Sequence, residues 1–285
     1  NEIHDTPKSI LIIEIPNSYL KPHMSTIEKK FYKRFQNQAT AMNEMEVNDS
    51  YKRRYTGYQE VENYVNKLLS ANIEEEIILG QIIVIPTLGS HMIDTSRMED
   101  FSWMDKIILE PKIQQRYPLL NRTPSPRGIK CQIDEGNKYF QKLEIHRNGC
   151  VHFISSRFSD YYRYSGPEGI PIFLDFMYCI KLLQTLQVAS TLYKKYNYFG
   201  DIRIICNLQS LENTNLLKGN GRLEVLRGPC QIDKSTITRE VSSLLLDFQR
   251  EYIASGIMNE VYNSYGEWKC NYFDDKGKLI EDKLF

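Results

Sequence analysis

Runs and alternations of apolar residues divide the chain into segments of recognisable period. Ser9-Ile10-Leu11-Ile12-Ile13-Glu14-Ile15 is a β-branched run of strand length, closed by Pro16. Apolar and basic residues alternate through Lys29-Lys30-Phe31-Tyr32-Lys33-Arg34-Phe35, which predicts a strand with one face for a core and one for solvent or an anion. A helix capped by Thr40 or Asn43 is expected next, carrying Glu44, Val47, Tyr51 and Lys52-Arg53-Arg54. Thr56-Gly57 reads as a break, after which Tyr58, Val61, Val65, Leu68 and Leu69 recur at helical spacing. Residues 76–86 are the most β-rich run and end at Pro86, so they predict a central strand.

Residues 87–126 lack a sustained period and contain Pro111, Pro118, Pro124 and Pro126, with Thr123-Pro124-Ser125-Pro126-Arg127-Gly128 reading as a flexible connection. Beyond it, residues 138–146 and 150–154 flank Arg147-Asn148-Gly149, and Asn-Gly is the strongest short signal for a hairpin. A long buried helix is expected over residues 171–194, with Pro171 in its first turn. Residues 201–208 read as a strand partnered by 222–226 across the Gly219-Asn220-Gly221 turn. A helix capped by Ser235 is expected over 236–254, burying Ile237, Val241, Leu244, Leu245, Phe248 and Tyr252. The last pieces, 267–273 and 278–280, read as an exposed hairpin. These elements predict an α+β fold with an N-terminal unit at 1–86, an irregular linker at 87–126 and an α+β domain at 127–285.

Composition narrows the function classes. The 285 residues carry 36 Lys+Arg against 36 Asp+Glu, so no global field draws the chain to nucleic acid or an acidic membrane, and contact with either must be local. The six cysteines are widely spaced without a C-x-x-C pair, which favours free thiols in a cytoplasmic setting. No run is long and apolar enough to span a bilayer, so no membrane partner is expected. No G-x-S-x-G elbow, Walker loop, kinase set, zinc-protease helix or dinucleotide fingerprint occurs, and no catalytic residue is assigned. His146 and His152 fall near each other around the hairpin turn and suggest a metal. With no third donor at an obvious spacing, no metal site is assigned.

Ile13-Glu14-Ile15-Pro16-Asn17-Ser18, Pro22-His23, Phe31-Tyr32-Lys33-Arg34 and Thr40-x-Met42-x-x-Met45-Glu46-Val47 follow one another in an order that resembles the second half of the Schlafen-like, AlbA-type divergent ATP-binding domain. That family is found in bacterial proteins described as ATP- or DNA-binding. The resemblance covers about the first fifth of the chain; Ile85-Pro86 and Arg147-Asn148-Gly149 resemble, less distinctly, the region that follows the domain. The family's preceding half, with its acidic residue, lysine and glycine pair, has no counterpart here. The chain therefore reads as a fragment, and chemistry residing in that half is not carried over.

The resemblance implies a nucleotide or nucleic acid as partner, with ATP the implied cofactor, held where two strands meet a helix start. Lys21, His23, Lys33, Arg34, Lys52, Arg53 and Arg54 would then converge on phosphate. His23 and Arg34 are the expected phosphate contacts, Thr40 the residue ordering the helix start, and Arg53 and Arg54 the supporting charges. The alternative is a non-catalytic assembly domain, forming a homo-oligomer through Tyr161-Tyr162-Arg163-Tyr164 and the C-terminal hairpin.

Overall fold

The computed structural model describes residues 21–35, 38–70, 78–87, 93–95, 101–104, 122–135, 139–162, 170–218, 225–280 and 283. The first expected strand, residues 9–15, lies outside them. Two short strands, β1 (Tyr32–Phe35) and β2 (Gln38–Ala41), form an antiparallel hairpin that leads into α1 (Glu44–Leu69). Asn43 caps α1 in a full capping box: its side chain accepts from Glu46 N, and Glu46 accepts from Asn43 N. Of the two expected caps, Thr40 is not the one used. Nor does the helix stop at Thr56-Gly57; it runs unbroken for 26 residues. A glycine costs a solvated helix only about 1 kcal/mol, which a strong cap and the packing of Val61, Val65 and Leu68 offset.

The expected α+β class holds. A seven-stranded antiparallel sheet is built from β3 (Leu79–Pro86), β4 (Arg122–Ser125), β5 (Gly128–Glu135), β6 (Tyr139–His146), β7 (Val151–Ser155), β10 (Asp201–Gln209) and β13 (Ser235–Ser242), in the order β13-β10-β3-β7-β6-β5-β4. β3 is buried along its whole length, as its uninterrupted apolar run requires. It pairs with β10 on one side and β7 on the other. The sheet therefore runs across the boundary expected at 87–126 and takes an inner strand from the N-terminal side. Pro124, expected in a flexible connection, lies on the edge strand β4, where its missing N–H disrupts no inner ladder.

A second sheet has the order β12-β11-β9-β8, from β8 (Ser159–Tyr162), β9 (Ile170–Phe173), β11 (Asn215–Lys218) and β12 (Val225–Arg227). Pro171 thus sits in β9 opposite Tyr161 and not in a helix. The long helix α2 (Asp175–Lys195) begins after it. β12 pairs with β11, not with the strand at 201–209. The helix expected at 236–254 is also corrected: residues 235–242 are β13, in register with β10 over eight pairs, and α3 spans Ser243–Asn263. Thr236, Ile237, Thr238 and Val241 are β-branched, and a neighbouring strand with open hydrogen-bonding groups outweighs their helical spacing.

Each sheet face has its own helix. Ile82, Val84, Leu143, Ile145, Phe153, Ile204 and Cys206 pack under α2 and the second half of α3 in the main core. Ile83, Ile85, Cys150 and Ile205 point the other way and meet Val61, Val65 and Leu68 of α1. All six cysteines are buried, and none of them is in a disulfide. No helix among the described residues is long and apolar enough to cross a membrane.

Candidate functional site

The N-terminal hairpin docks on the start of α1 through one of its faces. Phe31 meets Tyr51 edge-on at 6.1 Å between ring centroids, and Lys33 pairs with Glu46, whose carboxyl it holds below the usual range together with the Asn43 backbone. Strand alternation puts Arg34 and Tyr32 on the opposite face. Thr40 lies across from Lys33, exposed. On the helix, Arg53 donates to the Asp49 carbonyl one turn back, and Arg54 lies over the ring of Tyr58 at 5.9 Å. His23 is exposed ahead of the hairpin. Lys33 and Thr40 thus share a face, whereas Arg34 lies on the other face, and Arg53 and Arg54 diverge around α1.

These residues make an open surface. Residues 44–60 of α1 bury none of their side chains. Residues 21–58 hold eight Lys and Arg against four Asp and Glu, in a chain that is neutral overall. Exposed aromatics are interleaved with the cations: Tyr32 and Phe35 on β1, Tyr51 and Tyr55 on α1.

A second group of chemically capable side chains is buried between α1 and the sheet. The Asn148-Gly149 turn sets Ile145 opposite Val151 and therefore Glu144 opposite His152. Glu144, His146, His152 and Ile83 consequently share the face that α1 covers. His146 Nε2 lies 3.0 Å from Glu144 Oε2, and its Nδ1 lies 2.5 Å from the hydroxyl of Tyr64 on α1. His152 Nε2 lies 3.1 Å from Gln81 Oε1 on β3. The two imidazoles stand edge to face, 6.2 Å apart. Lys142 reaches Glu144 Oε1 at 3.6 Å.

Burial sets the protonation of the group. It pushes Glu144 upward, but the His146 hydrogen bond and the Lys142 charge outweigh it and hold the carboxyl at about 2. His152 is driven down to about 3, first by burial and then by its neighbour His146, so it is neutral. Burial also raises Tyr64 and Cys150, keeping both protonated. The cluster brings together one carboxyl and two histidine rings, one donor atom from each lying within 4.8 Å of the others.

Glu144 is the third donor that the sequence reading did not find. The hairpin register marks it, since counting back from Asn148-Gly149 places 144 across from 152. Tyr64 and Gln81 carry no such signal. The Tyr161–Tyr164 cluster is described only as backbone for Tyr161 and Tyr162 on β8, and its other two residues lie outside the described ones. No family model, curated protein or solved structure matches the chain.

Proposed function

We propose that the chain binds single-stranded nucleic acid along the exposed basic and aromatic surface of β1, β2 and the first half of α1. What carries this reading is the coincidence of local positive charge with unburied aromatic rings on elements that bury almost nothing of themselves. A sugar-phosphate backbone is attracted to such a surface by its charge, and bases stack on Tyr51 and Tyr55 of α1 and on Tyr32 or Phe35, which serve opposite faces of β1. A mononucleotide such as ATP needs concavity, which an open face of diverging cations does not offer. Of the two partners implied by the Schlafen-like resemblance, the polymer is therefore the better fit. Arg34, Arg53 and Arg54 supply charge, His23 adds a donor ahead of the hairpin, and Thr40 offers a hydroxyl beside Lys33.

The test is fluorescence anisotropy with labelled single-stranded DNA and RNA over a salt series. Affinity is expected to fall steeply with salt, and Arg34→Glu combined with Arg53→Glu to weaken binding at least tenfold. Both residues are exposed, so the melting temperature should stay put. Affinity indifferent to salt and to the double reversal would remove the proposal.

A second reading, self-assembly, has one observation in its favour. α3 departs from helical geometry at Gln249, and ahead of it Leu244, Leu245 and Phe248 are exposed, with Tyr252 exposed just beyond. They adjoin β13, an edge strand of the large sheet among the described residues. Antiparallel pairing of two β13 edges about a two-fold axis would continue the sheet and cover those side chains. Light scattering tests this: a monomer at high concentration rules it out, whereas a dimer abolished by Phe248→Glu supports it.

A further inference from the structure

The Glu144, His146 and His152 cluster is more than a satisfied buried network, because one of its ring nitrogens is left over. His152 is 3 % exposed, its Nε2 faces the Gln81 oxygen, and its Nδ1 has no hydrogen-bond partner. An acceptor at Nε2 holds the proton there, so Nδ1 carries a bare lone pair in a dry interior. Native structures rarely leave such a group without a partner. His146 has the complementary arrangement: the Tyr64 hydroxyl sits on Nδ1, free to accept a proton when Nε2 gives up its own.

We propose that Glu144, His146 and His152 bind one divalent first-row transition ion, with Gln81 and Tyr64 orienting the two imidazoles. Two nitrogens and a carboxylate oxygen suit zinc or its neighbours in that row and are a poor set for magnesium or calcium, which take oxygen donors. Ligands about 2.1 Å from a tetrahedral ion stand about 3.4 Å from each other. The three donor atoms already lie within 4.8 Å, and the Glu144–His146 pair at 3.0 Å needs to open by only a few tenths of an ångström. Binding displaces the His146 Nε2 proton, and the tautomer with Nδ1–H then donates to the Tyr64 oxygen. All three ligands are 7 % exposed or less, so the ion would sit shut away between the β6–β7 hairpin and α1, touching α1 only through Tyr64 behind His146.

The experiment uses the full chain stripped with a chelator, then titrated with Co²⁺ and, in competition with a chromophoric chelator, with Zn²⁺. One equivalent per chain is expected, with visible d–d absorption from Co²⁺ and a rise in melting temperature with Zn²⁺. Glu144→Gln preserves shape and a hydrogen bond to His146 and should lose the site, as should His152→Ala. Gln81→Met and Tyr64→Phe should weaken it about 10- to 100-fold. Glu212→Gln, at an exposed position outside the cluster, should change nothing. Circular dichroism of each variant separates loss of the site from loss of the fold; should His152→Ala unfold, Glu144→Gln and Gln81→Met decide. Absence of the Co²⁺ spectrum in the wild type, or equal binding by folded Glu144→Gln, overturns the proposal.

Discussion

Asp175 opens α2 inside the protein, and its charge is a measurable liability. It is 3 % exposed, and burial raises its carboxyl from 3.8 to about 6. Hydrogen bonds from Tyr262 on α3, from Tyr272 and from the Phe176 backbone pull it partly back, while the thiols of Cys179 and Cys270 stand close by. A shift of about two units corresponds to roughly 3 kcal/mol. Because the folded value lies above the unfolded one, the native state binds the extra proton between 3.8 and about 6. Asp175's contribution is therefore most favourable below that window, falls as pH rises through it and stays low above it. Asp175→Asn has no charge to bury, and its amide oxygen still accepts from the tyrosine hydroxyls. Urea unfolding of both proteins across the window should show the variant's stability, relative to wild type, increasing by about 3 kcal/mol from the acidic to the neutral end. Every other titrating group cancels in that difference. A difference flat with pH, or one that shrinks as pH rises, would refute the reasoning.

Two further outcomes follow from packing and capping. Gly80 leaves no room for a side chain: a Cβ there would stand 2.4 Å from Cε2 of the buried Phe158, with Tyr178 at 3.3 Å, so Gly80→Ala should cost about 1–3 kcal/mol in a denaturant titration. Asn43→Ala removes the capping box of α1 and should cost about 1 kcal/mol. Hydrogen exchange should show the loss confined to the first turns of α1, which carry the proposed nucleic-acid surface.

Local chemistry was enough to read the elements whose signals have no competitor. The run ending at Pro86 could only be a buried strand, Asn148-Gly149 could only turn a hairpin, and Val61, Val65 and Leu68 marked the buried stripe of α1. The hairpin register even contained the Glu144–His152 pairing, which the linear spacing of ligands does not show. What only the tertiary structure decided were the contests between plausible local states. Residues 235–242 became a strand because β10 offered eight positions of open backbone, a partner that helical periodicity cannot anticipate. Leu244, Leu245 and Phe248 then left the core, since a helix starting seven residues later turns that stripe outward. The basic residues near the amino end share a stretch of sequence but not a face, because strand alternation and helical rotation aim neighbours apart. Tyr64 and Gln81 reached the two histidines only through packing across the sheet, from 82 and 71 residues away. Periodicity belongs to the chain itself, whereas which groups share a dry interior depends on segments that meet only after folding.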